Sequence, residues 1–304
     1  MSAAREIANL RSIPTNGNIL LDYTAGDALT SGGTCNIAAG LNALGAATTG
    51  DDNVAIGRLA LGAGVTTGGS NIAIGITAMD ALTSGTDNIA LGQNALGAST
   101  DGCYNIAIGV TALAISDGDG DNNIAIGNTA MGGADVSGAN NIAIGSNTAD
   151  ALTTGACNIA MGVGSLGAAT IGLKNIAIGV TAMSGVTTGQ ADDNIAIGRS
   201  ALTGDANTTG SCNVVIGTTA ADALTTGCNN VALGLNALGV ATNNKHNVAI
   251  GVTALAASIN DADNNVAIGN TAMGGSDVAG SNNVALGTNA MDALTSGACN
   301  FAIG

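Results

Sequence analysis

Three kinds of residue in this 304-residue chain have the chemistry for a site: spaced carboxylates, six cysteines and one histidine. Asp117, Asp119 and Asp121, separated by Gly118 and Gly120, put carboxylates at i, i+2 and i+4, the spacing of a calcium loop. No Glu closes the loop at its far end, and the equivalent turn at Asp261 and Asp263 keeps only two acids. A solvated acidic turn is therefore the simpler reading. His246 stands beside Lys245, and a Ser-His-Asp arrangement would rest on that one imidazole. No CxxC pair is present, so the ligand spacing of a zinc site is missing. No Gly-rich loop opens a helix, so the 48 glycines read as corners and not as phosphate cradles. No residue is assigned a catalytic, cofactor-binding or metal role, and an enzyme is not expected.

The cysteines share a setting. Cys35, Cys157, Cys212 and Cys299 each stand one residue before a recurring Asn, and Cys103 and Cys228 stand two before it. If each recurrence is one coil, successive coils are about 4.8 Å apart, which puts Cys35 and Cys103 about 19 Å apart. A disulfide spans at most about 7 Å between Cα atoms. Only Cys212 and Cys228, on adjacent coils, come within reach of one another inside one chain. The reading is of small, semi-buried, reduced thiols stacked near a turn.

What positions these residues is a repeat. Asn-Ile-Ala-Ile-Gly, or a near copy, begins at sixteen asparagines from Asn36 to Asn300, at steps of 17 to 19 residues, and a degenerate copy begins at Asn18. With the Asn as position 0, position +1 is Ile, Val or Phe301, and +3 is Ile, Leu, Met161 or Ala39. Position +2 is Ala except at Val215, and +4 is always Gly. Ala recurs at +7, Leu or Met at +8, and Gly at −3. One coil reads as a short strand, a Gly corner, a second short strand and a polar turn such as Thr83-Ser84-Gly85. The Asn tolerates left-handed geometry, and its amides can stack from coil to coil. Chains of this kind are quasi-one-dimensional, each unit folding only against its neighbours. The fold class is all-β: a parallel β-solenoid or β-roll of 16 to 17 coils of 17 to 19 residues.

Alternation along the strand separates +1 and +3 from +2. The Ile/Val/Leu face is expected inside, leaving a column of Ala outside. A flat apolar stripe of small side chains facing water calls for a partner, and the expectation is an elongated, parallel homotrimer. On that reading Glu at Ala107 or Ala196 would break assembly. A longer period overlies the short one: Asp80, Asp150, Asp222 and Asp292, each followed by Ala-Leu, are spaced 70, 72 and 70 residues apart. Tandem duplication of a four-coil unit accounts for it.

Composition narrows the function. The net charge is −15, from 21 acidic against 6 basic residues, which disfavours nucleic acid and anionic membrane as partners. No run of 18 apolar residues is present to span a bilayer, and the opening residues lack the apolar run of a secretory signal.

The run Asn-Ile-Ala-Ile-Gly-x-x-Ala-Leu, with Thr-Thr-Gly between copies, resembles the head repeats of YadA-like trimeric adhesins and the related repeats of bacteriophage fibres. The resemblance covers residues 18–304 and implies a trimeric parallel β-roll with adhesive or spacer duty. Ala4-Arg5-Glu6-Ile7-Ala8-Asn9-Leu10 is similar to the start of some marine phage fibre proteins. The expectation is a structural fibre subunit in a virion, an extracellular appendage touching itself, its particle and a host-surface receptor. The head of a secreted trimeric adhesin and an ice-binding solenoid are the competing readings. Thr falls mainly in turns, as at Thr66-Thr67 and Thr187-Thr188, and forms no regular Thr-x-Thr column of the kind that orders ice.

Two domains are expected: an N-terminal attachment segment, 1–17, and a repetitive shaft, 18–304. The segment holds Arg5, Arg11 and the only proline, Pro14. Ser2 to Leu10 reads either as two helical turns that dock on the virion or an adjacent fibre subunit, or as a frayed end. Without residues 2–13 the shaft is expected to fold but not to join its particle.

Overall fold

The structure is a computed structural model that describes residues 11–13, 16–29, 32–116, 120–186, 191–204, 208–258 and 262–304. The chain is an all-β parallel β-solenoid of about 16 turns, with no helix among the described residues. It divides into two compact units, residues 1–153 and 154–304. The first unit holds β1 (Arg11–Ile13), β2 (Asn18–Leu20), β3 (Ile37–Ala39), β4 (Val54–Ile56), β5 (Ile72–Ile74), β6 (Ile89–Leu91), β7 (Ile106–Ile108), β8 (Ile124–Ile126) and β9 (Ile142–Ile144). The second holds β10 (Ile159–Met161), β11 (Ile176–Ile178), β12 (Ile195–Ile197), β13 (Val214–Ile216), β14 (Val231–Leu233), β15 (Val248–Ile250), β16 (Val266–Ile268), β17 (Val284–Leu286) and β18 (Phe301–Ile303).

Within each unit every coil gives one strand to a parallel ladder, and the repeat sets its register. Ile89 lies against Ile106, Ala90 against Ala107 and Leu91 against Ile108; Ala232 lies against Ala249 in the second unit. β1 is the exception. It pairs antiparallel with β2, Arg11 against Leu20 and Ile13 against Asn18. The expected helix over residues 2–10 lies outside the described residues, as does Pro14. Arg11–Ile13 is a strand belonging to the sheet of the first coil.

The core is not the expected one. The +2 alanines are fully buried, Ala73, Ala90 and Ala107 in the first unit and Ala177, Ala196 and Ala249 in the second. The +1 and +3 side chains point outward instead: Ile72 and Ile74 are 36% and 39% exposed. The physical reason lies in what the strand shares its inner face with. Asn at 0 is in phase with Ala at +2, and Asn71, Asn88 and Asn105 are all buried. The interior is narrow, closed from other directions by Ala at +7 and Leu or Met at +8, such as Ala78 and Met79, and by Leu82.

The Asn column is the polar spine of each unit. Asn88 Nδ2 donates to the Gly102 carbonyl at 2.7 Å, and the backbone N–H of Asn105 donates to Asn88 Oδ1 at 2.9 Å. Asn88 Nδ2 also lies 3.1 Å from Asn71 Oδ1. The stacking of amides expected from the sequence is present, and the amides serve as extra backbone inside the coil. The left-handed residue is not the Asn but the one before it: φ is 58° at Asp87 and 60° at Tyr104. The second strand is also absent among the described residues. After the Gly corner the chain is left-handed at +6 and at +8, with φ of 54° at Thr77 and 51° at Met79. Those two reversals keep the segment from being extended. It stays bonded to both neighbouring coils, through Thr77 N to Arg58 O at 3.0 Å and Met79 N to Ala95 O at 3.0 Å. Gly75 shows why +4 is always Gly: its φ is 144°, and a Cβ there would run into the carbonyl of Gly92.

Candidate interaction surface

The outward +1, +3 and +5 positions make a stripe along each unit. In the coil that begins at Asn71 it consists of Ile72, Ile74 and Ile76, the last 42% exposed. Val110 extends it at +5 in the first unit, and Val163, Val180, Leu235 and Val252 do so in the second. Arg58 and Arg199 also stand at +5, beside the apolar columns. A surface that repeats β-branched and aliphatic side chains on successive coils exceeds the scattered apolar residues of an ordinary surface. The sequence predicted an apolar stripe but put the wrong residues on it. The actual stripe is wider and more hydrophobic than a column of Ala.

The residues with chemistry lie elsewhere on the coil. Asp117 and Asp119 fall outside the described residues, and the Asp121 carboxylate accepts the Cys103 N–H at 2.7 Å. Asp121 belongs to a pattern that the sequence did not reveal. The side chain two before the Asn bonds the amide at the same place in the preceding coil. Asp51 receives Thr34 N at 2.7 Å, Asp192 receives Leu173 N at 2.8 Å and Asp263 receives Lys245 N at 2.8 Å. Ser211 and Ser281 take the same part through their hydroxyls, and Cys103 does so through Sγ, 3.4 Å from Thr86 N. A short polar acceptor at that place satisfies an amide that the turn leaves without a backbone partner. Among the described residues no group of three His, Cys, Asp or Glu is placed to hold a metal ion.

The six cysteines are free thiols. Cys103 and Cys228 are half-buried as expected, but Cys35, Cys157, Cys212 and Cys299 are exposed. The position before the Asn is a left-handed corner, with φ of 57° at Cys35, and its side chain points to solvent. His246 occupies the same corner and is exposed, its Nε2 3.5 Å from Asn229 Nδ2. The +6 hydroxyls are tied down. Thr111 donates to its neighbour's carbonyl, Val110 O, at 2.8 Å and lies 3.3 Å from the Thr129 hydroxyl.

The four-coil aspartates have a local setting of their own. Burial pushes the Asp80, Asp150 and Asp222 carboxyls above the usual carboxylate range. Amides of Ala63 and Gly62 offset part of this at Asp80, and that of Gly133 does so at Asp150. Oδ1 of Asp80 and Oδ1 of Asp150 are buried without a hydrogen-bond partner. A Cβ on Gly133 would press on the Asp150 carboxylate, whereas the equivalent position before Asp80 is Ala63.

Comparisons of the chain with protein families, with curated proteins and with solved structures gave no match.

Proposed function

We propose that this chain is a structural fibre subunit of a bacteriophage virion, working as a parallel homotrimer whose chains meet along the Ile/Val/Leu stripe. The observation that carries the reading is the outward direction of the +1 and +3 side chains in coil after coil. An aliphatic column left in water forgoes about 25 cal/mol for each Å² that a partner would cover. Identical chains in register present identical columns, so self-association covers all of them at once. The motif Asn-Ile-Ala-Ile-Gly-x-x-Ala-Leu supports the fibre assignment by its resemblance to trimeric head repeats and phage fibres. In this reading the chain separates and presents; receptor contact belongs to its exposed turns. Native mass spectrometry of the purified protein is expected to give three times the chain mass. A soluble, folded monomer would overturn the self-association reading. Antibodies against the repeat are expected to decorate an appendage of the intact particle, and their failure to bind purified virions would overturn the assignment to a fibre.

A further inference from the structure

We infer that β1 is an edge cap over a latent head-to-head interface, and that the occupant it keeps out is a second copy of this chain. The inference is independent of how the stripe is used. β2 is flanked on one side by β3, to which it is bonded in parallel: Ile19 N donates to Asn36 O at 2.7 Å and Leu21 N to Ala38 O at 2.8 Å. Alternation along a strand then turns the amides and carbonyls of Asn18 and Leu20 the other way. Those are the residues that face Ile13 and Arg11 of β1. Without β1 they form an unpaired strand edge, the kind of template on which another chain adds.

What it would accept follows from the same register. Among the described residues β1 is the one antiparallel partner in a sheet that is otherwise parallel within each unit. Gly17, immediately before β2, has a φ of 71°. Two copies related by a two-fold axis through β2 would meet antiparallel. Asn18 of each copy would then lie against Leu20 of the other, and the pairing β2 now makes with β1 would be reproduced. A head-to-head pair is thus built into the edge, and β1 occupies it first because it is tethered next to it.

The test compares the full chain with two variants: a chain lacking residues 2–16, and the full-length double substitution Arg11→Pro with Ile13→Pro. The second removes the two backbone N–H groups that point at β2 without shortening the chain. Native mass and amide hydrogen exchange are read on all three. In the intact chain the Asn18 and Leu20 amides are expected to be protected. In both variants the mass is expected to double relative to the intact protein, whatever its own oligomeric state, with those two amides protected again in the doubled species. Fast exchange of Asn18 and Leu20 in the intact chain would overturn the proposal. So would variants that keep the intact mass, or that lose protection throughout the first unit.

Discussion

At the residue scale the unusual feature of this chain is how often an ordinary side chain sits in left-handed geometry. Such a conformation costs an L-residue roughly 1–2 kcal/mol, and Asn tolerates it best. The corner before the repeated Asn is filled by Asn122, Asn140 and Asn229, but in one coil by Tyr104, 58% exposed with φ of 60°. Its ring gains little from packing, and its backbone bond to Thr86 O at 3.0 Å does not need the side chain. Tyr104→Asn is therefore expected to stabilise the first unit by about 1 kcal/mol, seen as a higher thermal midpoint. A lower midpoint would mean that the ring holds something that its exposure hides.

The four-coil aspartates set a pH dependence. The folded chain disfavours ionisation of Asp80, Asp150 and Asp222, so their folded pKa values lie above the ordinary 3.8. Their contribution to stability is then full below that ordinary value and is lost as pH rises through the raised one. Acidification from neutral pH toward the ordinary value of 3.8 is expected to raise the thermal midpoint. Asp80→Asn, Asp150→Asn and Asp222→Asn together should flatten that rise. The exposed Asp52, Asp87 and Asp193, changed likewise, serve as the control for net charge. Equal slopes in the two triple variants would refute a special role for the three half-buried aspartates.

At the scale of the coil, the repeat was legible and the inside was not. The Gly at +4, the first short strand of each coil and the stacking of Asn amides all follow from residue type and spacing. Which face of the strand is buried does not follow, because alternation says only which side chains share a face. With Ala on one face and Ile on the other, hydrophobicity favoured Ile for the core. The useful signal was size. Positions +1 and +3 vary among Ile, Val, Leu, Met and Phe, whereas +2 accepts nothing larger than Val215, as a narrow interior requires. The second strand was over-read for a related reason: apolar residues at +7 and +8 resemble a strand, and nothing in their type announces left-handed backbone at +6 and +8. The side-chain bonds from the −2 position went unread because Asp stands there in only one coil in four, at Asp51, Asp121, Asp192 and Asp263, with unrelated residues between.

The spine that sequence did reveal gives a test of the coil. Asn88 both donates, to Gly102 O, and accepts, from Asn105 N. Asn88→Ala leaves both groups unpaired in the interior and is expected to cost roughly 2–4 kcal/mol. Asn88→Asp keeps the acceptor but sets a carboxylate oxygen against a carbonyl, so at neutral pH it should be at least as damaging. Protonation restores a donor, and the Asp variant should recover relative to Ala as pH falls. Urea denaturation across that range decides it. An Asp variant as stable as the parent at neutral pH would show that the Nδ2 bond is dispensable.

At the scale of the whole molecule, the reversal of faces changes what a mutation at the strand should do. If Ala were the contact between chains, Glu at Ala107 would release folded monomers. With Ala107 fully buried inside the coil, the same substitution puts an unpaired charge in a space closed by neighbouring coils, and folding of the first unit should fail. Ile74, 39% exposed on the stripe, is the complementary site. Ile74→Glu adds a solvated carboxylate to an open surface, so the coil should keep its circular dichroism and thermal transition. In the proposed trimer, however, the substitution brings three like charges together where apolar columns should meet, and assembly should be lost. The two variants measured side by side by circular dichroism and native mass separate interior from interface. Ile74→Glu chains that still assemble with the parent mass would show that the stripe is not where the copies meet. Folded Ala107→Glu chains would return Ala to the outside and undo the account of the core.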